Sequence, residues 1–257
     1  MSRTAFYTAL VLRSRPSGES NSEVTLLTDE EGIIKATVFG GAKSKLRAHC
    51  APFNSGRIWI YRDKSKEYGK VCDFDVHSWR PGLRELYERT VTASAIADTI
   101  ISSHGGGGDW AAVFKLTADT LDALENANDE FCERLLVYFL WQWSDFLGIQ
   151  PQLGNCSSCG METNDAPFWF NMREGAVFCS ACLQAVFPQD FQSENTNTQL
   201  QRLNPSCRKW LSAVGVLDPG SLHRYSMDSK SFHEVKSLTT GILAGVFGKR
   251  LSSWGMV

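Results

Sequence analysis

The sequence predicts a multidomain α+β chain: a five-stranded barrel over residues 1–80, then an α-helical region over 81–257 with a four-cysteine ribbon inserted at about 154–184. Three observations predict it. The first eighty residues hold five short β-rich runs separated by turn residues, the residues from 83 onward show helical periodicity, and two Cys-x-x-Cys pairs stand 19 residues apart. At 257 residues the chain is long enough for two cores. Its 43% hydrophobic and 21% charged residues are ordinary for a globular protein, and no apolar run approaches the roughly 20 residues of a membrane span.

The β-rich runs are 9–14, 23–28, 32–39, 56–62 and 71–76. Asp29-Glu30-Glu31-Gly32 is a compact hairpin turn, whereas the break after the third run is long and basic: Gly40-Gly41-Ala42-Lys43-Ser44-Lys45-Leu46-Arg47-Ala48-His49. That arrangement suits an OB-fold, whose sheet face and loops commonly hold single-stranded nucleic acid through phosphate contacts and aromatic stacking. Charge points the same way. Residues 1–80 carry 13 Lys+Arg against 9 Asp+Glu, a balance of +4, and residues 81–257 carry 13 against 19, a balance of −6, although the net charge is only −2. Lys43, Lys45 and Arg47 are the leading candidate phosphate contacts, with Arg13, Arg15 and Lys35 secondary; Arg208 and Lys209 are the fallback in the helical region. A solvated charged loop is the plain alternative. Trp59, Tyr61 and Tyr68 read as sheet packing, since strands favour aromatics whether or not anything stacks on them.

Beyond Pro81-Gly82 the pattern becomes helical. A first helix spans 83–104 and ends in Gly105-Gly106-Gly107-Gly108, read as a flexible connection because no Lys-Ser/Thr follows it. A second spans 110–125. Asn128 caps the third, Asp129, Glu130 and Glu133 complement its dipole, and Gly148 with Pro151 ends it. Cys132, Leu135, Leu136, Phe139, Leu140, Trp143 and Leu147 line one face, while Val137, Tyr138 and Trp141 make much of the other face apolar too, as in a buried helix. Further helices are expected over 207–214 and 230–254, the latter with Gly241 and Gly245 permitting close helix contact, and 189–204 reads as a mobile loop.

Cys156, Cys159, Cys179 and Cys182 predict one structural Zn²⁺: two thiolates three residues apart bite an ion from a tight turn, and a second such pair completes a tetrahedral cage. Between them, Phe168 to Asn171 and Ala176 to Phe178 read as strands joined by a turn at Met172-Arg173-Glu174-Gly175. Two disulfides are the rival, favoured only in an oxidising compartment. The opening Met1-Ser2-Arg3-Thr4-Ala5-Phe6 leads into a strand without a long apolar run, so a reducing cytoplasmic setting is expected. A redox dithiol fits less well, because one dithiol would suffice and neither pair is expected to open a helix after a thioredoxin-like strand. Four sulfur ligands leave no open position for catalysis, and Cys50, Cys72, Cys132 and Cys207 stand at no ligand spacing.

Other classes lack their residues. There is no Gly-x-x-x-x-Gly-Lys-Ser/Thr loop for a nucleotide kinase, no Rossmann glycine motif for a sirtuin-like deacylase, and no His-x-Glu ahead of Pro-Cys-x-x-Cys for a deaminase. His49, His77, His104, His223 and His233 form no pair at metal or triad spacing.

In the order and spacing of three stretches, the chain resembles the bacterial RecO family of recombination mediators. These are Leu26-Leu27-Thr28-Asp29-Glu30-Glu31-Gly32, then Gly40 to Lys45 with Pro52-Phe53 soon after, and Leu147-Gly148-Ile149-Gln150-Pro151-Gln152-Leu153 running into Cys156-x-x-Cys159-Gly160. The resemblance implies an N-terminal OB-fold, a helical domain carrying the zinc ribbon, and DNA binding and strand annealing without enzymatic turnover. It also implies cytoplasmic, nucleoid-associated work on single- and double-stranded DNA, with RecR, single-strand-binding protein and, indirectly, RecA as partners, and in many bacteria RecF. This basic loop carries fewer cations than is usual in the family, which implies weaker or more distributed DNA contact. An RNA-binding or transcription-associated zinc-ribbon protein is the alternative.

Overall fold

Apolar residues at every second position close the first part of the chain into a barrel. The computed structural model describes residues 4–41, 44–63, 68–163, 166–186 and 200–257. Strands β1 (Thr4–Ser17), β2 (Asn21–Thr28), β3 (Gly32–Val38), β4 (Ser55–Asp63) and β5 (Tyr68–Ser78) close in the order β1-β2-β3-β5-β4, with β1 pairing β4. All pairs are antiparallel except β3 with β5, which is the topology of an OB-fold. Val11, Val24, Leu26, Ile58, Ile60 and Phe74 fill the interior. Four of the strands run past the apolar residues that announced them, because ladder hydrogen bonds continue after the core ends, whereas β3 stops at Val38, one residue short of its expected run.

One register shift, between Val11 and Arg13, lets β1 serve both β4 and β2. Leu10, Leu12 and Leu27 are buried as well, although their inward-facing neighbours already fill the barrel. They cover the side on which α2 (Tyr87–Ser102) and α3 (Trp110–Leu124) meet β1 and β2. Gly32, at φ +68°, closes the β2–β3 turn against Trp110; a Cβ there would lie 2.8 Å from the indole. A Cβ on Gly105 would stand 3.0 Å from the same indole, so the glycine run expected to be a flexible connection also makes a close seat for Trp110.

Three sequence expectations for this part change. The basic break holds a short helix, α1 (Lys45–His49), whose Leu46 packs on the barrel core. The helix expected from residue 83 begins instead as a 3-10 turn, Pro81–Arg84, and restarts at Tyr87 after an extended Leu86. The reason is Arg80. It is buried in the left-handed region at φ 44°, and its Nη1 donates to the Phe53 carbonyl at 2.8 Å and to Ser55 Oγ at 2.9 Å, while its Nε meets Asp122 of α3 at 2.6 Å. Gly82 then presses so close to the Glu125 carbonyl that a Cβ would stand 2.5 Å from it.

By internal contacts the chain divides into Met1–Leu136 with Gly255–Val257, and Val137–Trp254. The division falls inside α4 (Asp129–Phe146), whereas the change from strands to helices falls at residues 80 and 81. Asn128 Oδ1 accepts the Phe131 amide at 2.9 Å and caps α4 as its sequence predicts. Within the second unit, Tyr138 of α4 donates to the Leu217 carbonyl at 2.8 Å, and Gln142 donates to the carbonyl of Val214, which ends α6 (Pro205–Val214). The ribbon is a sheet of β6 (Phe168–Asn171), β7 (Ala176–Cys179) and β8 (Leu200–Leu203) in the order β7-β6-β8, followed in chain order after β7 by α5 (Ser180–Val186).

Here too the structure corrects the sequence. Of the loop expected over 189–204, residues 200–203 are strand β8, paired to β6 with Leu203 buried opposite Phe168, and 187–199 lie outside the described residues. The last long helix, α7 (Ser229–Phe247), stops well short of residue 254, because Gly248 caps it at φ 67°. Trp254 is nonetheless buried, its ring 5.8 Å from Phe247. Gly241 makes room for Met172 of the β6–β7 turn rather than for a helix, and Gly245 faces open space.

Arg80→Ala is expected to lower unfolding stability by about 2–4 kcal/mol, since it leaves a buried carbonyl and hydroxyl without their donor. Asp122→Asn should cost clearly less, because that side chain is 55% exposed and water can replace it. Denaturant midpoints of the two variants check the order.

Candidate metal centre and nucleic-acid interface

Two turns of the ribbon aim four sulfurs at one point. The first is Cys156-Ser157-Ser158-Cys159, closed by the Gly160 amide on the Cys156 carbonyl at 2.8 Å with Gly160 at φ 74°. It is pinned to β7 by Ser157, whose amide donates to the Val177 carbonyl at 2.8 Å and whose hydroxyl accepts from the Val177 amide at 3.2 Å. The β6–β7 hairpin returns the chain through the predicted turn, with Asn171 Oδ1 accepting the amides of Arg173 and Glu174. Cys179 ends β7, and Cys182 stands in the first turn of α5. The second pair therefore opens a helix, but after a strand of an antiparallel hairpin.

That position alone would suit a redox dithiol. The convergence of all four sulfurs argues otherwise: the Sγ atoms of Cys156, Cys159, Cys179 and Cys182 lie within 4.8 Å of one another, and Cys159 and Cys179 are 3.8 Å apart. A tetrahedron with metal–sulfur bonds of about 2.3 Å has edges of about 3.8 Å, so the donor set and its size fit a thiophilic ion such as Zn²⁺. The cluster can hold a metal ion. Its electrostatics are already divided. Desolvation opposes ionisation of Cys156, but the amides of Cys179, Cys159 and Ser158 outweigh it and bring the thiol down to about 6. At Cys182 the Ser158 hydroxyl favours the thiolate, yet hydrogen bonding with Cys159 and Cys179 prevails and pushes it up to about 12.

The remaining cysteines stand apart from this group. Burial pushes Cys50 and Cys207 up to about 12, with Glu234 adding to it at Cys207, and pushes Cys132 up to about 11. Cys72 is exposed. Among the described residues, the four ribbon cysteines are the one group of three or more side chains placed to share a metal.

The predicted phosphate contacts are distributed over the barrel. Lys45 is exposed and Arg47 half-buried on α1, which His49 anchors through Nδ1 to the Phe74 carbonyl at 2.8 Å. Lys43 lies outside the described residues, as does the side chain of Tyr68. Arg13, Thr25 and Lys35 fall in one cross-strand row over β1, β2 and β3, with Arg15, Glu23 and Thr37 in the next. Lys35 and Arg15 are exposed. Arg13 is committed: it pairs with Asp98 of α2 in a groove of about 280 Å³ that also includes Phe53 and Arg84. In the second unit Arg208 is half-buried and Lys209 exposed.

Sequence reasoning missed two cation–ring pairs on the outer surface, Arg57 over Phe6 at 5.4 Å and Lys70 over Phe39 at 5.5 Å. The available signal was period-two alternation, which turns Phe39 outward with Lys35 and Thr37. Trp59 and Tyr61, read as sheet packing, are half-buried.

Family models for the recombination protein O N-terminal and C-terminal regions match residues 1–78 and 84–254. The chain belongs to the RecO family. Proteins named DNA repair protein RecO align with it along much of their length. That of Desulfitobacterium hafniense strain DCB-2 is 25% identical over 260 residues, covering 96% of this chain and 87% of that protein. That of Pelotomaculum thermopropionicum is 30% identical over 177 residues, covering 68% and 67%, and that of Syntrophomonas wolfei is 29% identical over 180 residues, covering 68% of each. RecO is thus a family of DNA repair proteins, here with an OB-type barrel, a helical region and a metal-competent Cys cluster. No helix among the described residues is long and apolar enough to cross a membrane.

Metal uptake by the reduced ribbon should release protons and strengthen with rising pH, because Cys182 must lose its proton to become a ligand. Calorimetric titration of a thiophilic divalent ion in buffers of different ionisation heat checks this; uptake independent of pH would contradict a four-thiolate site. Cys159→Ser should weaken uptake at every pH.

Proposed function

We propose that this RecO chain is a DNA-binding recombination mediator. It anneals complementary single strands and, with RecR, helps load RecA onto DNA coated with single-strand-binding protein. The observation that carries the reading is the closed OB-type barrel bearing exposed Lys35 and Lys45 and half-buried Arg47, in a chain matched by RecO family models at both ends. Residues 1–80 bind single- and double-stranded DNA, and residues 81–257 meet the protein partners. Cys156, Cys159, Cys179 and Cys182 hold one Zn²⁺ that stabilises the ribbon. The protein works in the cytoplasm at the nucleoid.

The mechanism is binding without nucleotide turnover. Contacts from Lys43, Lys45 and Arg47, with Arg13, Arg15 and Lys35 in support, grip phosphates without reading bases. A basic face that holds two strands lowers the electrostatic barrier to their pairing. Arg13 exchanges Asp98 for phosphate in doing so, and therefore contributes less than an uncommitted cation.

If about four phosphates are engaged, the plot of log K against log salt for a single strand should slope by roughly −3, and a Lys43/Lys45/Arg47→Ala triple variant should flatten it to about −1. A fluorescence titration at several salt concentrations measures both; an unchanged slope would move the contacts elsewhere, Arg208 and Lys209 being the next candidates.

Complementary oligonucleotides coated with single-strand-binding protein should anneal faster when this protein is added without ATP. Strand-pairing fluorescence reads the rate. Acceleration that required ATP hydrolysis by this chain, or none at any salt, would remove the mediator reading.

A further inference from the structure

Inward positions of β3 are filled by Ile34, Ala36 and Val38, so Lys35 and Thr37 turn outward by alternation, and Phe39 follows directly on the last residue of the strand. Phe39 is 42% exposed, an unusual place for a large apolar ring just past a strand that already supplies its share of the core. It is also gathered among cations. Thr37 pairs with Lys70 in the parallel β3–β5 register, and the Lys70 ammonium lies over the Phe39 ring. Gly69 lets β5 come this near: a Cβ there would stand 3.0 Å from the Lys35 carbonyl. Beyond the ring, Gly40 turns the chain at φ +119° and packs so close to Ser44 that a Cβ would be 3.0 Å from it, and Ser44 leads directly into Lys45 and Arg47 of α1.

From this arrangement we infer that Phe39, with Lys70 on its ring, is a base-stacking subsite for single-stranded nucleic acid, and that it makes the barrel prefer unpaired strands to duplex. The inference rests on the proposed nucleic-acid reading of the barrel and adds to it, because phosphate contacts alone act on both forms of DNA. An exposed ring gains from a nucleobase only when that base has a free π-face. In a duplex the bases are stacked on each other and only the phosphates remain in reach. Lys70 supplies the charge: it rests on the ring and turns to the phosphate that accompanies the stacked base. Charge also separates this ring from Phe6. The other exposed pair, Phe6 with Arg57, belongs to a surface where Trp59 is opposite Asp73 and Arg57 opposite Asp75, carboxylates that repel a phosphate backbone.

The test compares three fluorescent probes: a thymidine oligonucleotide, an abasic strand of equal length and phosphate count, and a duplex. The full-length protein is expected to bind the thymidine strand at least about fivefold more tightly than the abasic strand. Phe39→Ala should abolish that preference and narrow the gap to duplex, while abasic-strand affinity and the salt slope stay as they were. Phe39→Trp should restore the preference and Phe6→Ala should leave it intact, and thermal melts establish that each variant is folded. Equal binding of thymidine and abasic strands by the unaltered protein, or an equal loss on both in Phe39→Ala, would overturn the stacking subsite and leave the phosphate-binding reading standing. No binding of any strand would overturn both, and would leave the ring as a contact for a protein partner.

Discussion

Helix α4 is the constraint on which the rest of this structure depends. A helix apolar over most of its circumference cannot simply rest on a surface; most of it has to be enclosed. Leu135, Leu136, Val137, Phe139, Leu140 and Trp143 are all fully buried, and the two compact units of the chain divide between Leu136 and Val137. Each unit therefore takes part of its core from the same continuous backbone. The second unit returns to α4 through polar contacts as well, from Tyr138 to Leu217 and from Gln142 to Val214, so the chain following the ribbon is held at defined points rather than by apolar packing alone.

The barrel separates stability from recognition by the simplest device available to a strand. Alternate residues fill the interior, and the residues between them are left to face outward. Part of the outside, at Leu10, Leu12 and Leu27, is also buried. What remains carries Arg15, Lys35, Lys70 and the short helix with Lys45 and Arg47. Not every cation there is equally available. Arg62 lies over Tyr7 and pairs with Glu31 at 2.6 Å, while burial, together with Glu31 accepting the Tyr7 hydroxyl, raises the Tyr7 pKa to about 12. Arg80 and Arg13 are paired with Asp122 and Asp98. A count of positive residues thus overstates the field that a ligand meets.

At the metal centre the order of causes is local. Turn hydrogen bonds place the first pair of cysteines, the hairpin returns the chain, and a strand end with a helix start places the second pair. Four sulfurs so close together are favourable as thiolates only when a cation compensates them.

The sequence by itself determined whatever depends on near neighbours in the chain. Alternation located the five barrel strands, apolar residues over most of its circumference marked α4 as buried, Asn128 marked its start, and cysteine spacing picked out four sulfurs that converge and can hold a metal, because each of these is a periodicity or a short-range geometry. Tertiary structure decided what depends on distant partners. Strand β8, Leu200-Gln201-Arg202-Leu203, is too short to show a period and exists because β6 offers an edge and a place for Leu203. The left-handed Arg80 that opens the 3-10 turn is held by Phe53, Ser55 and Asp122, partners 25 or more residues away. The close packing around the glycine run comes from Trp110 seated on Gly32, and the end of α7 at Gly248 took precedence over an apolar pattern that continued to Trp254. Which basic residues are committed to partners, and which aromatic rings stand out beside a cation, are likewise properties of the assembled surface, where residues far apart in sequence become neighbours.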